Sequence, residues 1–181
     1  MILLVGCAQQ PGFESKPVET KPEALPPLPA TYVSDAGCPG CLEVTLTLRA
    51  DGAYLLRDQL GASEFYDFGR WRYADGVLEL AGDRDTRRYH LRNFRRSAQV
   101  EPLRGPFRMV GLYDGTTFKE CRTGIAWPLA PTRAVETLKG EFLKGQGAAV
   151  LVALDGQLEG TPEMLRVFRP AAVLDARSCP S

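Results

Sequence analysis

Residues 37–57 read GCPGCLEVTLTLRADGAYLLR, and the second half of that stretch decides the fold. Val44, Leu46 and Leu48 alternate with Thr45, Thr47 and Arg49, the period-two signature of a strand with one face buried. Asp51-Gly52 follows, a pair suited to a tight hairpin, and Tyr54-Leu55-Leu56-Arg57-Asp58 resumes the run. The same rhythm continues through Phe65 to Tyr73, the turn Asp75-Gly76, Val77 to Leu80, and Arg88 to Arg92. Short strands with turn signals about every 8–12 residues predict an antiparallel meander, as a sandwich or a barrel. No helical period interrupts it.

Beyond Arg104-Gly105-Pro106 the pattern changes. Phe107 to Tyr113 reads as a strand, Asp114-Gly115 as a turn and Thr116 to Cys121 as the returning strand. Thr132 is placed to cap a helix whose apolar face holds Val135, Leu138 and Phe142, with Gly145 as its stop. Ala148 to Leu154 predicts a buried strand, Asp155-Gly156 a turn after it, and Leu165 to Phe168 a last alternating run. The organisation expected is a signal remnant (1–7), a tether (8–30), a β-barrel (31–105) and a second β domain with one helix (106–181).

The N-terminal run Met1 to Val5 is far too short to span a bilayer. Leu4-Val5-Gly6-Cys7 resembles a bacterial lipobox, which makes Cys7 the lipidation site and implies that the upstream part of the signal is missing. Between Ala8 and Ala30 there are six prolines and few large apolar residues, a composition that cannot bury enough surface to fold. At about 3.1 Å per residue such a tether reaches on the order of 70 Å. Ala8 is not the aspartate that commonly retains lipoproteins at the inner membrane, so the expected location is the outer membrane, facing the periplasm.

Lys+Arg and Asp+Glu are equal at 22 each, which gives no reason to expect a nucleic-acid partner. His90 is the one histidine, so a site built on several histidines is excluded within one chain. Ser34, Asp35 and His90 lack any nucleophile-elbow motif, phosphate-binding glycine loops are absent, and no catalytic residues are assigned. The arginines at 84, 87, 88, 92, 95 and 96 lie among Asp83 and Asp85 and read as a solvated strand face. Phe65, Phe68, Trp71 and Tyr73 read as core, with the lining of a ligand cavity as the alternative.

With Cys7 given to lipid, Cys38, Cys41, Cys121 and Cys179 remain in an oxidising compartment. Four cysteines allow three pairings; Cys38 with Cys41, and Cys121 with Cys179, keeps each pair within one domain. A redox-catalytic CxxC wants a helix N-terminus to stabilise its thiolate, whereas Cys41 leads into a strand. Two thiolates at this spacing suit soft Cu(I), with Met109, Met164 and His90 as the remaining soft or imidazole ligands. The preferred reading of this pair is a disulfide clasp at the start of the first barrel strand, with Cu(I) binding as the alternative.

The order of these motifs resembles one family. Cys38 to Cys41, Asp51-Gly52-Ala53-Tyr54, Leu60-Gly61-Ala62 and Phe68-Gly69-Arg70-Trp71 look like the N-terminal domain of the NlpE (CutF) outer-membrane lipoproteins. Met109 to Tyr113, then Phe118-Lys119-Glu120-Cys121-Arg122-Thr123-Gly124, the helix and a late cysteine look like that family's C-terminal domain. The resemblance implies a mainly β fold, a lipocalin-like N-terminal β-barrel followed by a small OB-like β domain with one helix. It also implies an envelope-stress sensor or copper-tolerance factor, not an enzyme, anchored to the membrane by lipid and reporting to a sensor kinase of the Cpx type. The alternatives are a lipocalin-like carrier of a small apolar ligand or lipid, and a Cu(I) chaperone using Cys38 and Cys41.

Overall fold

The structure is a computed structural model that describes residues 25, 27–34, 42–83, 85–102, 104–169, 171–174 and 178–180. Cys7, Cys38, Cys41, Arg84 and residues 8–24 of the tether lie outside the described residues.

The first sheet contains β1 (Ala30–Ser34), β2 (Glu43–Leu48), β3 (Ala53–Leu60), β4 (Ser63–Ala74), β5 (Val77–Ala81), β6 (Thr86–His90) and β7 (Phe94–Arg96). Its order is β6-β5-β4-β3-β2-β1-β7, with every pairing antiparallel. The two outermost strands are consecutive in the chain, joined by one 3-10 turn, Leu91–Asn93. The sheet therefore curls into a nearly closed barrel, and Tyr89 and Phe94 meet edge-on at 5.3 Å across that turn. Inside, Leu46, Leu48, Tyr54, Leu56, Leu78 and Leu80 are fully buried in one cluster.

The second sheet contains β8 (Phe107–Tyr113), β9 (Thr117–Glu120), β10 (Ala126–Pro128), β11 (Val150–Glu159), β12 (Met164–Val167) and β13 (Ala172–Val173), with α1 (Arg133–Lys144) between β10 and β11. The order β10-β9-β8-β11-β12 is brought round on itself by a parallel bridge between Leu129 and Leu165. Five strands in this cyclic order form an OB barrel. Thr132 caps α1 by accepting from the Val135 N–H, and Gly145 ends it. Val135 and Leu138 are buried, and Phe142 packs edge-on against Tyr113 at 5.9 Å.

Two expectations change. Asp155-Gly156 is no turn: both lie inside β11, where Gly156 pairs with Phe107 on one side and Val167 on the other. A Cβ on Gly156 would sit 2.8 Å from Leu165 Cδ1, so the glycine serves close packing. The aromatic set is also divided. Strand alternation sends Trp71 and Tyr73 to the inner cluster, while Phe68 points out of the first barrel into the core shared with the second. Phe65 stands 54% exposed at the rim. The tether's last residue, Ala30, opens β1 and is buried.

Candidate functional site at the seam of the two barrels

Tyr66 and Phe68 on β4, with Ala53 and Leu55 on β3, supply the apolar side of the seam. Phe68 meets Trp127 at 5.7 Å and Phe107 at 6.2 Å, and Tyr66 meets Phe107 edge-on at 5.7 Å. One outer face of the first barrel is thus core rather than surface.

Two polar contacts flank this core. In the first, the turn that follows β9 carries Cys121 and docks on β4. Glu120 is buried, and its carboxylate accepts from the Thr123 N–H (2.6 Å) and hydroxyl (2.7 Å). Gly124, at a φ of 70°, lets its own N–H reach back to the Glu120 carbonyl at 2.9 Å. The turn so fixed presents the Thr123 carbonyl to the Arg70 guanidinium and Arg122 to Asp83 at 3.4 Å. Cys121 itself is bonded to Cys179, tying this turn to the C-terminal segment. Just upstream of that segment β13, with Ala172 and Val173 both exposed, adds to β11, and the Leu174 N–H donates to the Leu151 carbonyl at 2.9 Å.

In the second contact, Arg49 follows β2 and donates to both carboxylate oxygens of Glu163 at 2.8 Å and to Asp51 at 2.7 Å. The Trp127 indole N–H completes Glu163 at 2.9 Å. Burial pushes the Glu163 carboxyl upward, but hydrogen bonds from Arg49 and Trp127 outweigh it and hold the group below the usual carboxylate range. Asp51 is likewise held low, burial being overcome by Arg49 and the Ala53 N–H. Burial pulls the Arg49 guanidinium down, yet Glu163 and Asp51 leave it raised.

The sequence motifs now have physical work assigned to them. In Phe68-Gly69-Arg70-Trp71, Phe68 fills the seam, Arg70 grips the Cys121 turn, and Trp71 donates to the Arg49 carbonyl at 3.1 Å. Gly69 leaves room for the Ala81 carbonyl and the Tyr54 ring. Tyr54, wholly buried, donates to Asp67 at 2.7 Å, and burial first and Asp67 second raise its phenol well above the ordinary range.

The soft ligands Met109, Met164 and His90 are not gathered. Met109 is buried in the second core, Met164 begins β12, and His90 is exposed at the end of β6. Among the described residues no group of three or more His, Cys, Asp or Glu is placed to hold a metal, and no helix is long and apolar enough to cross a membrane. The arginine cluster is partly tied down: Arg87 pairs with Asp58 at 2.6 Å and Arg88 with Glu79 at 3.0 Å. Sequence reasoning missed Arg49, Glu163 and Arg70 as seam residues. Only the spacing of Arg49 to Asp51 hinted at a local pair, since Glu163 lies 114 residues away.

The family model described as the NlpE C-terminal OB domain matches residues 97–177. A solved structure, described as the crystal structure of the Cpx pathway activator NlpE from Escherichia coli, is 20% identical, with 84% of this chain and 97% of that chain covered and a TM-score of 0.39. No curated protein matches the chain.

Proposed function

We propose, from the match of residues 97–177 to the NlpE C-terminal OB domain model, an envelope-stress sensor of the NlpE type whose redox-sensitive element is the Cys121–Cys179 disulfide. The observation that carries this reading is where the disulfide sits: Cys121 opens the turn through which the OB barrel holds Arg70 and Asp83 of the first barrel. The bond closes a loop with a sequence separation of 58, for which chain entropy gives a stabilisation of roughly 4 kcal/mol. That is comparable to the whole stability of a small domain, about 5–15 kcal/mol. A failure of oxidation in the envelope therefore loosens the OB barrel and its grip on its neighbour together.

The remaining parts of the reading follow from the sequence. Cys7 is the lipid anchor at the outer membrane, the Pro-rich segment holds the two barrels off the periplasmic face, and the listener is a sensor kinase of the Cpx type. The Escherichia coli NlpE is described as a Cpx pathway activator, and the match of residues 97–177 to the NlpE C-terminal OB domain model supports that partner class. Cys38 and Cys41 form either a clasp or a Cu(I) site linked to copper tolerance. The test of the sensor reading is a stress-reporter strain carrying Cys121→Ser or Cys179→Ser under ordinary oxidising conditions. Both variants should change reporter output in the same direction; output equal to that of the parent chain overturns the reading.

A further inference from the structure

The two edges of β4 are used unequally. Ser63 to Arg70 pair with β3 along one edge, while β5 takes the other edge only from Arg70 to Ala74. Among the described residues no strand pairs with that second edge between Ser63 and Gly69. The Trp71 N–H donates to Gly52 on the β3 side. Because main-chain groups alternate edges along a strand, odd-numbered residues face β3, and Glu64 and Tyr66 direct their N–H and C=O to the unpaired edge. From Asp67 onward that edge is covered by Gly82 and Asp83, the Asp83 N–H donating to the Asp67 carboxylate at 3.3 Å, and Phe68 is buried.

This edge borders a cleft of about 450 Å³. Glu64, Tyr66 and Asp67 line one side, Pro106, Arg108 and Asp155 of the second barrel the other, and Asp58 with Arg87 the inner end. Asp58 is 8% exposed. One of its oxygens takes the Arg87 guanidinium at 2.6 Å, and the other, Oδ1, is buried without a hydrogen-bond partner. Among the lining side chains four carboxylates (Asp58, Glu64, Asp67, Asp155) stand against two guanidiniums (Arg87, Arg108). Arg57 reaches Glu64 only at 3.9 Å and Arg169 reaches Asp155 only at 4.0 Å from outside the lining, so the lining itself carries the excess of negative charge. Phe65 offers an exposed apolar ring beside it.

We propose that this edge docks an extended, basic segment of a partner protein, which adds to β4 as a further strand. Alternating free main-chain donors and acceptors are met in register only by another extended backbone. The net negative lining and the unpartnered Asp58 oxygen select lysine or arginine at positions facing inward, and Phe65 accepts an apolar neighbour. A second copy of the chain fits less well, because its own edge carries Glu64 and Asp67 and like charges would oppose each other across the new ladder. The inference goes beyond the sensor reading and does not depend on the disulfide.

The experiment is fluorescence anisotropy with the full chain and a labelled peptide alternating Lys and Val. Its comparators are a fully N-methylated version and one with Glu in place of Lys. Wild type binds the Lys-Val peptide in the micromolar range, and both comparators bind at least about tenfold more weakly. Glu64→Thr keeps its outward N–H and Glu64→Pro does not, while neither touches the pairing with β3. Glu64→Pro therefore loses about tenfold relative to Glu64→Thr. The inference is overturned by equal binding of the N-methylated peptide, by equal affinity of the two variants, or by no binding up to about 1 mM. It is also overturned, in favour of self-association, if wild type dimerises with concentration and Glu64→Pro does not. The N-methylated peptide needs no variant, so misfolding of Glu64→Pro leaves the test intact.

Discussion

The guanidinium of Arg70, on the outward side of β4, donates to the main-chain carbonyl of Thr123 two residues after the disulfide-bonded Cys121. One hydrogen bond thus links the first barrel to the element of the second that oxidation holds in place. Arg70→Ala leaves that carbonyl without its charged donor, at a cost of about 1 kcal/mol. Urea unfolding should show the loss, and Arg70→Lys should restore only part of it, because an ammonium lacks the planar fork. Equal stability of Arg70→Ala and wild type would mean the contact is incidental.

Cys121→Ser, Cys179→Ser and the double variant should be destabilised equally, because each removes the same cross-link. The expected loss is up to about 4 kcal/mol, and wild type in excess dithiothreitol should join them. Urea midpoints check this directly. Additive single losses would assign the effect to the side chains rather than to the bond.

Much of this fold was legible locally. Alternation from Val44 to Leu48 and the turn pairs Asp51-Gly52 and Asp75-Gly76 set the first meander, and Thr132 with Gly145 bounded the helix. The missed strands β7, β10 and β13 are three, three and two residues long, too short for a period to show, while β1 buries Ala30, Thr31 and Tyr32 in succession and so shows no alternation. Asp155-Gly156 misled because a turn and a tight packing contact ask for the same residue, and only β8 and β12 on either side distinguish them. The seam was invisible for another reason. Phe68 follows the same alternation as its neighbours, and nothing local says that the outer face of β4 is covered. Arg49 and Glu163 meet only once both barrels have folded.

Acid should open this second contact before it unfolds the cores. Glu163 and Asp51 are both held below their ordinary values of 4.5 and 3.8. Depressed carboxyls contribute stability that is complete above the unfolded value and is lost as pH falls through the folded one. Melting temperature should therefore be flat above about pH 5 and decline below about pH 4.5. Glu163→Gln should lower the plateau and flatten the decline, since the amide neither titrates nor offers Arg49 a charged partner. A parallel decline in wild type and variant would place the titrating group elsewhere.

Two glycines separate close packing from chain freedom. A Cβ at Gly69 would lie 2.0 Å from the Ala81 carbonyl oxygen and 2.9 Å from Tyr54 Cε1. The backbone of β5 cannot yield without breaking its pairing with β4, so Gly69→Ala should cost about 1–3 kcal/mol or more. Gly140 lies within α1 with nothing inside 4 Å of its added Cβ. There alanine only removes unfolded-state freedom and the poor helix propensity of glycine, so Gly140→Ala should stabilise by up to about 1 kcal/mol. Thermal melts of the two single variants test the contrast. If Gly69→Ala melts with wild type, β5 is not held against β4 at Ala81, and the wall that encloses Tyr54 and Asp67 is looser than the pairing of Arg70 with Ala81 describes.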